Sequence, residues 1–335
     1  MERKALSRRL NSIFALMCVI KLLLIFFIFF SLPLIRLIFG DGGEGIVLRL
    51  SDSSGVPGIV YSVFGDLLCV ALPVAVWYAV NKSTVRKETV FPVKKAGALP
   101  VCCTVAATYF TGYCFAFGFA FVALLFCEAF GIAIPQPSVD VPSDLPSFLL
   151  QILSVAVLPA VFEELACRGA VMGGLKRYGA AFALVVSSVC FSMLHNTLGQ
   201  LPFALGAGLA LGYCVLRFGS ARVGIAAHFV NNFLSCVLQY LAARSGISQS
   251  SSGYGITLAD PAAFAGMVAV YAVIVIFVSV FGVIFLVRYK IRDVDESAAE
   301  TAVNPVGAVF RCPMAYVFLA LFIASVVLYT LHLFS

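Results

Sequence analysis

Charged side chains are scarce in this sequence. Only 11% of its 335 residues are charged, whereas 62% are hydrophobic. Soluble domains are about 25% charged and about 45–50% apolar, so a water-soluble fold of this length is excluded because its surface would lack polar groups. Intrinsic disorder is excluded too, since disordered segments are poor in the aliphatic and aromatic residues that dominate here.

Several catalytic and metal-binding motifs are also absent. No Cys-x-x-Cys pair occurs among the eleven cysteines, most of which lie in apolar runs and act as small hydrophobic residues. There is no His-Glu-x-x-His helix motif and no Gly-x-Ser-x-Gly turn, which argues against a soluble zinc protease and a serine hydrolase. The net charge of +6 fits basic cytoplasmic loops, so we expect no nucleic-acid partner.

Long apolar runs, on the other hand, recur along the whole chain. A helix needs about 20 apolar residues to cross a bilayer, whereas a membrane barrel would show short alternating segments. The sequence therefore predicts an all-α, polytopic transmembrane helix bundle with eight or nine membrane helices. The predicted apolar segments are 13–39, 57–80, 99–127, 147–172, 179–196, 199–217, 222–243, 263–287 and 313–334.

The loops between these segments predict the topology and the domains. The first apolar run is too long for a secretory signal and is interpreted as an uncleaved helix. Loops rich in Lys and Arg alternate with acidic ones, which predicts a cytoplasmic N-terminus, and we expect the plasma membrane. A proline-rich external linker at 134–146 would separate an N-terminal region, 1–133, from core helices at 147–243, with C-terminal helices at 244–335.

A few ionisable residues interrupt the apolar runs, where each costs at least about 2.5–3.5 kcal/mol. Lys21 and Asp66 have opposite charge and are expected to pair across two helices, with a direct role in chemistry as the alternative. Glu163 and Glu164 are adjacent and therefore point about 100° apart. Arg168 follows Glu164 by four residues, on the same helix face, so we expect it to neutralise Glu164 and to leave Glu163 free toward a cavity. A charge cluster that only fixes helix packing is the alternative.

Two of the three histidines lie in the next apolar segments. His195 and His228 have polar neighbours, and Asn232 is one helical turn after His228. Polar groups in lipid must face one another or water, so we expect one shared cavity with Glu163. A carboxylate beside an imidazole can perform general acid–base catalysis, and a histidine with an amide can stabilise an oxyanion.

The same residues are also compatible with metal binding and with functions other than hydrolysis. Glu163, His195 and His228 could instead bind Zn²⁺, because two His and one Glu form a known catalytic ligand set. Intramembrane Glu and His also build proton relays, so a proton-coupled transporter and a non-catalytic membrane partner are alternatives. At 1.5 Å per residue, His228 lies only about 9 Å along its helix from Arg222. Glu163 and His195 each lie about 20–24 Å along their helices from the cytoplasmic turn at 176–178, so the three residues differ in expected depth. They meet only if the helices are tilted, shifted or broken.

At these residues the sequence resembles the CAAX prenyl-protease and bacteriocin-processing family of intramembrane endopeptidases. The family pattern consists of Glu-Glu-x-x-x-Arg, Phe-x-x-x-His and His-x-x-x-Asn on successive membrane helices. The resemblance covers about residues 145–243. Its positions in this chain are Glu163, Glu164, Arg168, Phe191, His195, His228 and Asn232.

The resemblance implies a role for each polar motif residue. Glu163 would activate water with the help of His195, and His228 and Asn232 would form the oxyanion site. The remaining pair, Glu164 with Arg168, would organise the site.

Cofactor and substrate follow less directly from the resemblance. Members of the family are described either as metalloproteases or as metal-free glutamate proteases, so the resemblance leaves Zn²⁺ open. Some members cut prenylated proteins, and others act in peptide maturation or self-immunity. The expected partner is a peptide or protein substrate in or at the lipid bilayer.

Overall fold

A computed structural model of the protein describes residues 2–82, 98–130, 141–142, 144–244 and 304–334. Every regular element in these ranges is helical, and they contain no strand. Six of the described helices are long and apolar enough to cross a membrane. The predicted all-α, polytopic bundle is therefore confirmed, while the predicted segment 263–287 lies outside the described residues.

The helices are numbered here in chain order. The six candidate membrane spans are α1, α3, α5, α7, α8 and α10, and α6 is a shorter apolar helix. Their bounds are α1 Glu2–Phe39, α2 Asp41–Ser51, α3 Val56–Val80, α4 Ala98–Phe130, α5 Leu145–Tyr178, α6 Ala180–Leu194, α7 Gln200–Phe218, α8 Ala221–Arg244, α9 Pro305–Val309 and α10 Pro313–Phe334.

The bundle has two closely packed groups of helices. In one, α1 packs along α10; in the other, α7 packs along α4 and α6, and α8 packs against α4, α5 and α7. One face of α1 is fully buried, because its apolar residues recur every three or four positions, the spacing of a single helix face. These residues are Leu6, Leu10, Ile13, Met17 and Ile20.

Two elements near the N-terminus differ from the predicted segments. Helix α1 begins at Glu2 instead of near residue 13, and its 38 residues span about 57 Å at 1.5 Å per residue. The acidic stretch 40–56, expected to be a loop, contains α2. Gly40 separates the two helices with a φ of 55°, which glycine adopts without a steric penalty, and α2 packs back on α1. Hydropathy marks the part of a helix that suits lipid, whereas backbone hydrogen bonding continues into water.

Helix α5 carries the paired glutamates and is irregular. Asp144 caps its N-terminus and accepts a hydrogen bond from the Ser147 backbone N–H at 2.9 Å, which holds the pKa of Asp144 below its usual range. Further along, α-helical turns alternate with π-helical stretches at Ile152–Val157 and Leu165–Met172. π-Helical stretches are rare in proteins, and those that occur are often located at functional sites.

Candidate active site

The two adjacent glutamates of α5 have opposite environments. The Glu164 side chain is fully buried, whereas the Glu163 side chain is 20% exposed. Glu163 lines a cavity of about 290 Å³ together with His195. The expected opening beside Glu163 is therefore present, and the approximately 100° between successive helical residues accounts for the difference.

Arg168 pairs with Glu164, as expected from their spacing. Its Nη1 donates to Glu164 Oε1 at 2.6 Å, and neither side chain is exposed. Its Nη2 donates to the Gly208 carbonyl at 3.0 Å, and its guanidinium lies 4.5 Å from the centre of the Phe191 ring. This pair is charge-assisted and closed to water, so it fixes the Glu164 carboxylate.

His228 contacts the same buried carboxylate. Its Nδ1 lies 3.2 Å from Glu164 Oε1, and its Nε2 lies 4.0 Å from Glu163 Oε2. The second distance is too long for a hydrogen bond. A carboxylate paired with an arginine is ionised and only accepts hydrogen bonds, so His228 Nδ1 carries the proton and donates it to Glu164. The other ring nitrogen, Nε2, is on the side of Glu163.

The depth mismatch expected between His228 and Glu163 does not occur, because α8 begins deeper in the bundle than the turn at 176–178. Helix α8 begins at Ala221, and Gly224, only three residues later, already lies against Glu164. The first turns of α8 are therefore at the level of the paired glutamates, which places His228 next to them.

Two glycines allow the helices to approach at this point. A Cβ on Gly224 of α8 would lie 2.7 Å from Glu164 Oε2, and a Cβ on Gly208 of α7 would lie 3.2 Å from Ser188 Cα. Gly224 precedes His228 by one helical turn, so the close approach at Gly224 brings His228 to α5. Neither glycine was among the predicted site residues, although the four-residue spacing places Gly224 on the same helix face as His228.

His195 is the first residue after α6 and has an extended backbone, with φ −74° and ψ 149°. Its Nδ1 donates to the Phe191 carbonyl at 3.1 Å, which leaves Nε2 as the acceptor of the neutral ring. The Phe191 ring contacts both histidines edge-on, with centroid distances of 5.4 Å to His195 and 5.6 Å to His228. Phe191 therefore packs between the motif side chains.

The cavity beside Glu163 is polar and is formed by several helices. It includes Leu24 of α1, Asp66 of α3 and Tyr329 of α10. Besides Tyr329, the titratable and polar residues that line it are Asp66, Glu163, His195, Asn196, Thr197 and Gln200. Asn196, Thr197 and Gln200 were not among the predicted site residues, although all three lie within five residues after His195.

The expected ion pair between Lys21 and Asp66 is wrong. Lys21 Nζ instead donates to the carbonyls of Leu194 and His195 and to the Asn196 side chain. Asp66 accepts a hydrogen bond from Ser154 Oγ at 3.3 Å. The depth of Lys21 in α1 matches the end of α6, where backbone carbonyls lack helical partners.

Asn232 lies outside the residues that line this cavity. Its Nδ2 donates to the Val155 carbonyl of α5 at 2.8 Å. Pro159 follows Val155 by four residues and has no N–H to donate to that carbonyl. Asn232 thus donates to α5 at a carbonyl whose partner in a regular α-helix would be the proline, and its amide carries a second N–H.

The zinc hypothesis requires Glu163, His195 and His228 to converge on one ion. Within the part of the chain that the structure describes, no three His, Cys, Asp or Glu side chains are arranged to hold a metal ion. The proposed ligands do not fit a metal site in this arrangement, and the description of a metalloprotease is not supported by their geometry.

Comparison with known proteins adds one match. No curated protein matches the chain, and no solved structure matches it. Residues 145–234 match the family model of the type II CAAX prenyl endopeptidases, Rce1-like. This segment includes all of the motif residues from Glu163 to Asn232. The match supports, at the level of the family, a peptidase of the CAAX type embedded in a membrane and a membrane-associated peptide substrate. The sequence of residues 145–234, which carries the candidate site, is therefore Rce1-like, and the predicted resemblance to the CAAX-protease family of intramembrane endopeptidases is confirmed.

Proposed function

We propose that this protein is an intramembrane endopeptidase in which Glu163 activates the hydrolytic water. One observation carries the proposal: Glu163 opens on a polar cavity shared with His195, while the adjacent Glu164 is buried and neutralised by Arg168. A carboxylate that is accessible to water beside an imidazole is suited to general-base chemistry.

In the proposed reaction, the Glu163 carboxylate removes a proton from water as the water oxygen attacks the scissile carbonyl carbon. The resulting tetrahedral intermediate carries its negative charge on the former carbonyl oxygen. The proton then moves to the leaving amine as the C–N bond breaks, and His195 assists this transfer through its free Nε2. No atom or electron beyond those of water and the peptide is required.

The oxyanion would be stabilised by His228 and Asn232. His228 is bonded to Glu164 through Nδ1, so its donor to the oxyanion would be Nε2 of the doubly protonated ring. Asn232 would use the amide N–H that is not bonded to Val155. Hydrogen-bond donors aimed at a developing oxyanion contribute about 2.7–4 kcal/mol each.

The test is cleavage of membrane-anchored fluorogenic peptides by the detergent-purified protein. Glu163→Gln keeps the shape of the side chain but removes the base, so we expect a loss of about 10²–10⁴-fold in kcat. Glu44→Gln is the matched control, because Glu44 is 62% exposed and pairs with Arg36 at the surface. Full activity of Glu163→Gln would contradict the mechanism, and a chelator arm tests separately for a metal.

A proton-coupled transporter is the second candidate, and one observation favours it. Asp66 and Glu163 line the same cavity, and two intramembrane carboxylates can pass a proton between them. Flux into proteoliposomes that requires both residues, without peptide cleavage, would support this function. A non-catalytic membrane partner is the third candidate, and it predicts that Glu163→Ala still complements a deletion strain.

A further inference from the structure

Lys21 is a fully buried cation in α1 whose hydrogen bonds all end on neutral oxygens. Its Nζ lies 3.3 Å from the Leu194 carbonyl, 3.2 Å from the His195 carbonyl and 2.7 Å from Asn196 Oδ1. An ammonium has three N–H donors, so these three acceptors match its capacity. A buried charge is costly unless it is fully hydrogen-bonded. The position of Lys21 therefore depends on these three acceptors.

The end of α6 accounts for the position of the charge. The last carbonyls of a helix have no backbone partner and form the negative end of its dipole. Leu194 is the last residue of α6, and His195 follows with an extended backbone. The Phe322 ring of α10 lies 5.5 Å from Lys21 Nζ on another side, and an aromatic face also favours a cation. Lys21 therefore links α1 to the turn that carries His195.

The same contact fixes the orientation of the Asn196 amide. An ammonium can only donate hydrogen bonds, so the amide oxygen of Asn196 must face Lys21 and its NH₂ group must point away. Asn196 lines the cavity together with Glu163 and His195. Loss of the Lys21 ammonium would free the amide to rotate and would leave two backbone carbonyls without their donor.

We infer that Lys21 is a positioning residue of the proposed active site, which holds the backbone at His195 and sets the Asn196 amide at the cavity. This inference rests on the proposed peptidase function. It assigns part of the site to α1, which lies outside the Rce1-like segment 145–234. Lys21 acts through its neighbours and has no direct part in the chemistry.

The experiment compares Lys21→Met, which keeps the length of the side chain without its donors, with Lys21→Arg, which keeps the donors. Lys21→Met is expected to lower kcat by about 10- to 100-fold, because small misplacements of reacting groups have effects of this size. We expect KM to change little and Lys21→Arg to restore part of the rate. Lys82→Met, at an exposed lysine two residues after the end of α3, is the control.

A double-mutant cycle tests whether Lys21 acts through Asn196. If it does, Lys21→Met combined with Asn196→Leu reduces kcat by less than the product of the two single effects. Wild-type kcat in Lys21→Met, or single effects that simply multiply, would overturn the inference. If Lys21→Met does not fold, Lys21→Leu, which also lacks N–H donors, replaces it with the same expected loss in kcat.

Hydrogen exchange separates this inference from the proposed function. Backbone amides of residues 195–200 should exchange several-fold faster in Lys21→Met than in the wild type, and the Lys82→Met control should not change. This measurement needs no substrate. Absence of cleavage by the wild type would refute the peptidase proposal alone, whereas unchanged exchange at 195–200 would refute the positioning role of Lys21.

Discussion

At the scale of single residues, the site depends on two neighbours of the same type with different tasks. Glu164 is bound by Arg168 and His228 within the protein, while Glu163 remains at the cavity surface. Functional pairs of carboxylates are often separated in this way by their environments. The buried glutamate fixes the histidine, and the exposed one is left for chemistry in the proposed mechanism.

Gly224 is the residue on which this arrangement is most sterically dependent. We expect Gly224→Ala to displace Glu164 or α8, because the new Cβ would lie 2.7 Å from Glu164 Oε2 and 2.8 Å from Val215 Cγ2. Overpacking costs about 1–3 kcal/mol, which outweighs the gain of at most about 1 kcal/mol from alanine in a helix. The unfolding midpoint in detergent should fall, together with cleavage activity.

Gly45→Ala is the matched control for this substitution. Gly45 lies within α2, and a Cβ there would meet no atom within 4 Å. Its unfolding midpoint should stay the same or rise, because only the helix propensity changes. A Gly224→Ala protein as stable and active as the Gly45→Ala control would show that the close approach is unimportant.

At the scale of secondary structure, α5 is an irregular helix that receives a side-chain hydrogen bond from α8. Pro159 removes the donor that would normally reach the Val155 carbonyl, and Asn232 of α8 donates to that carbonyl instead. In lipid an unsatisfied carbonyl is costly. Asn232 therefore connects α8 to α5 in addition to any role that it has in the oxyanion site.

This connection predicts coupling between Asn232 and Pro159. We expect Asn232→Leu to lower the free energy of unfolding by about 1–3 kcal/mol, because the Val155 carbonyl would lose its side-chain donor in lipid. In a Pro159→Ala background the backbone N–H at position 159 returns, so the same substitution should cost less. Thermal unfolding in detergent of the wild type, the two single variants and the double variant measures the coupling.

Ser235→Ala provides the reference for substitutions on α8. Ser235 Oγ donates to the Asn231 carbonyl within the same helix, so its removal should have the same effect with and without Pro159. If the effects of Asn232→Leu and Pro159→Ala are strictly additive, the Val155 contact does not stabilise α5.

At the scale of the whole molecule, basic residues from different parts of the chain lie at one end of the bundle. A Cβ on Gly174 would lie 3.5 Å from Arg9 Cδ, and Gly174 is followed closely by Lys176. At the same end, Cys312 Sγ donates to Asn11 Oδ1, next to Arg311. Positive residues collect on the cytoplasmic side of membrane proteins, so this end is expected to be cytoplasmic.

Topology mapping tests this expectation. An epitope tag before Glu2 should be protected from protease in intact cells and digested in inside-out vesicles, because the basic end of the bundle faces the cytoplasm. A tag placed within 134–146 should show the opposite pattern, since this linker is predicted to be external. The same fractions, separated by membrane type, test the expected plasma-membrane location.

An untagged cytoplasmic protein in the same cells controls for vesicle integrity. Digestion of the N-terminal tag in intact cells would invert the orientation proposed here. The helix bundle and its internal contacts would be unaffected by that result, because they do not depend on which side of the membrane faces the cytoplasm.

Most helices and the pairing within α5 could be predicted from the sequence. Apolar length determines membrane helices through the cost of exposing polar groups to lipid, and Arg168 meets Glu164 because residues four apart share a helix face. The motif residues were identified for the same reason: ionisable side chains are rare in apolar helices. These features follow from neighbours along the chain.

Contacts between helices were decided by the tertiary structure. Opposite charges predict a pair between Lys21 and Asp66, yet Lys21 binds the backbone carbonyls at the end of α6. The contact of His228 with Glu164 depends on the close approach of α8 to α5 at Gly224. Sequence determines which groups need a partner in lipid, but depth, crossing geometry and backbone irregularity determine which partner each group reaches.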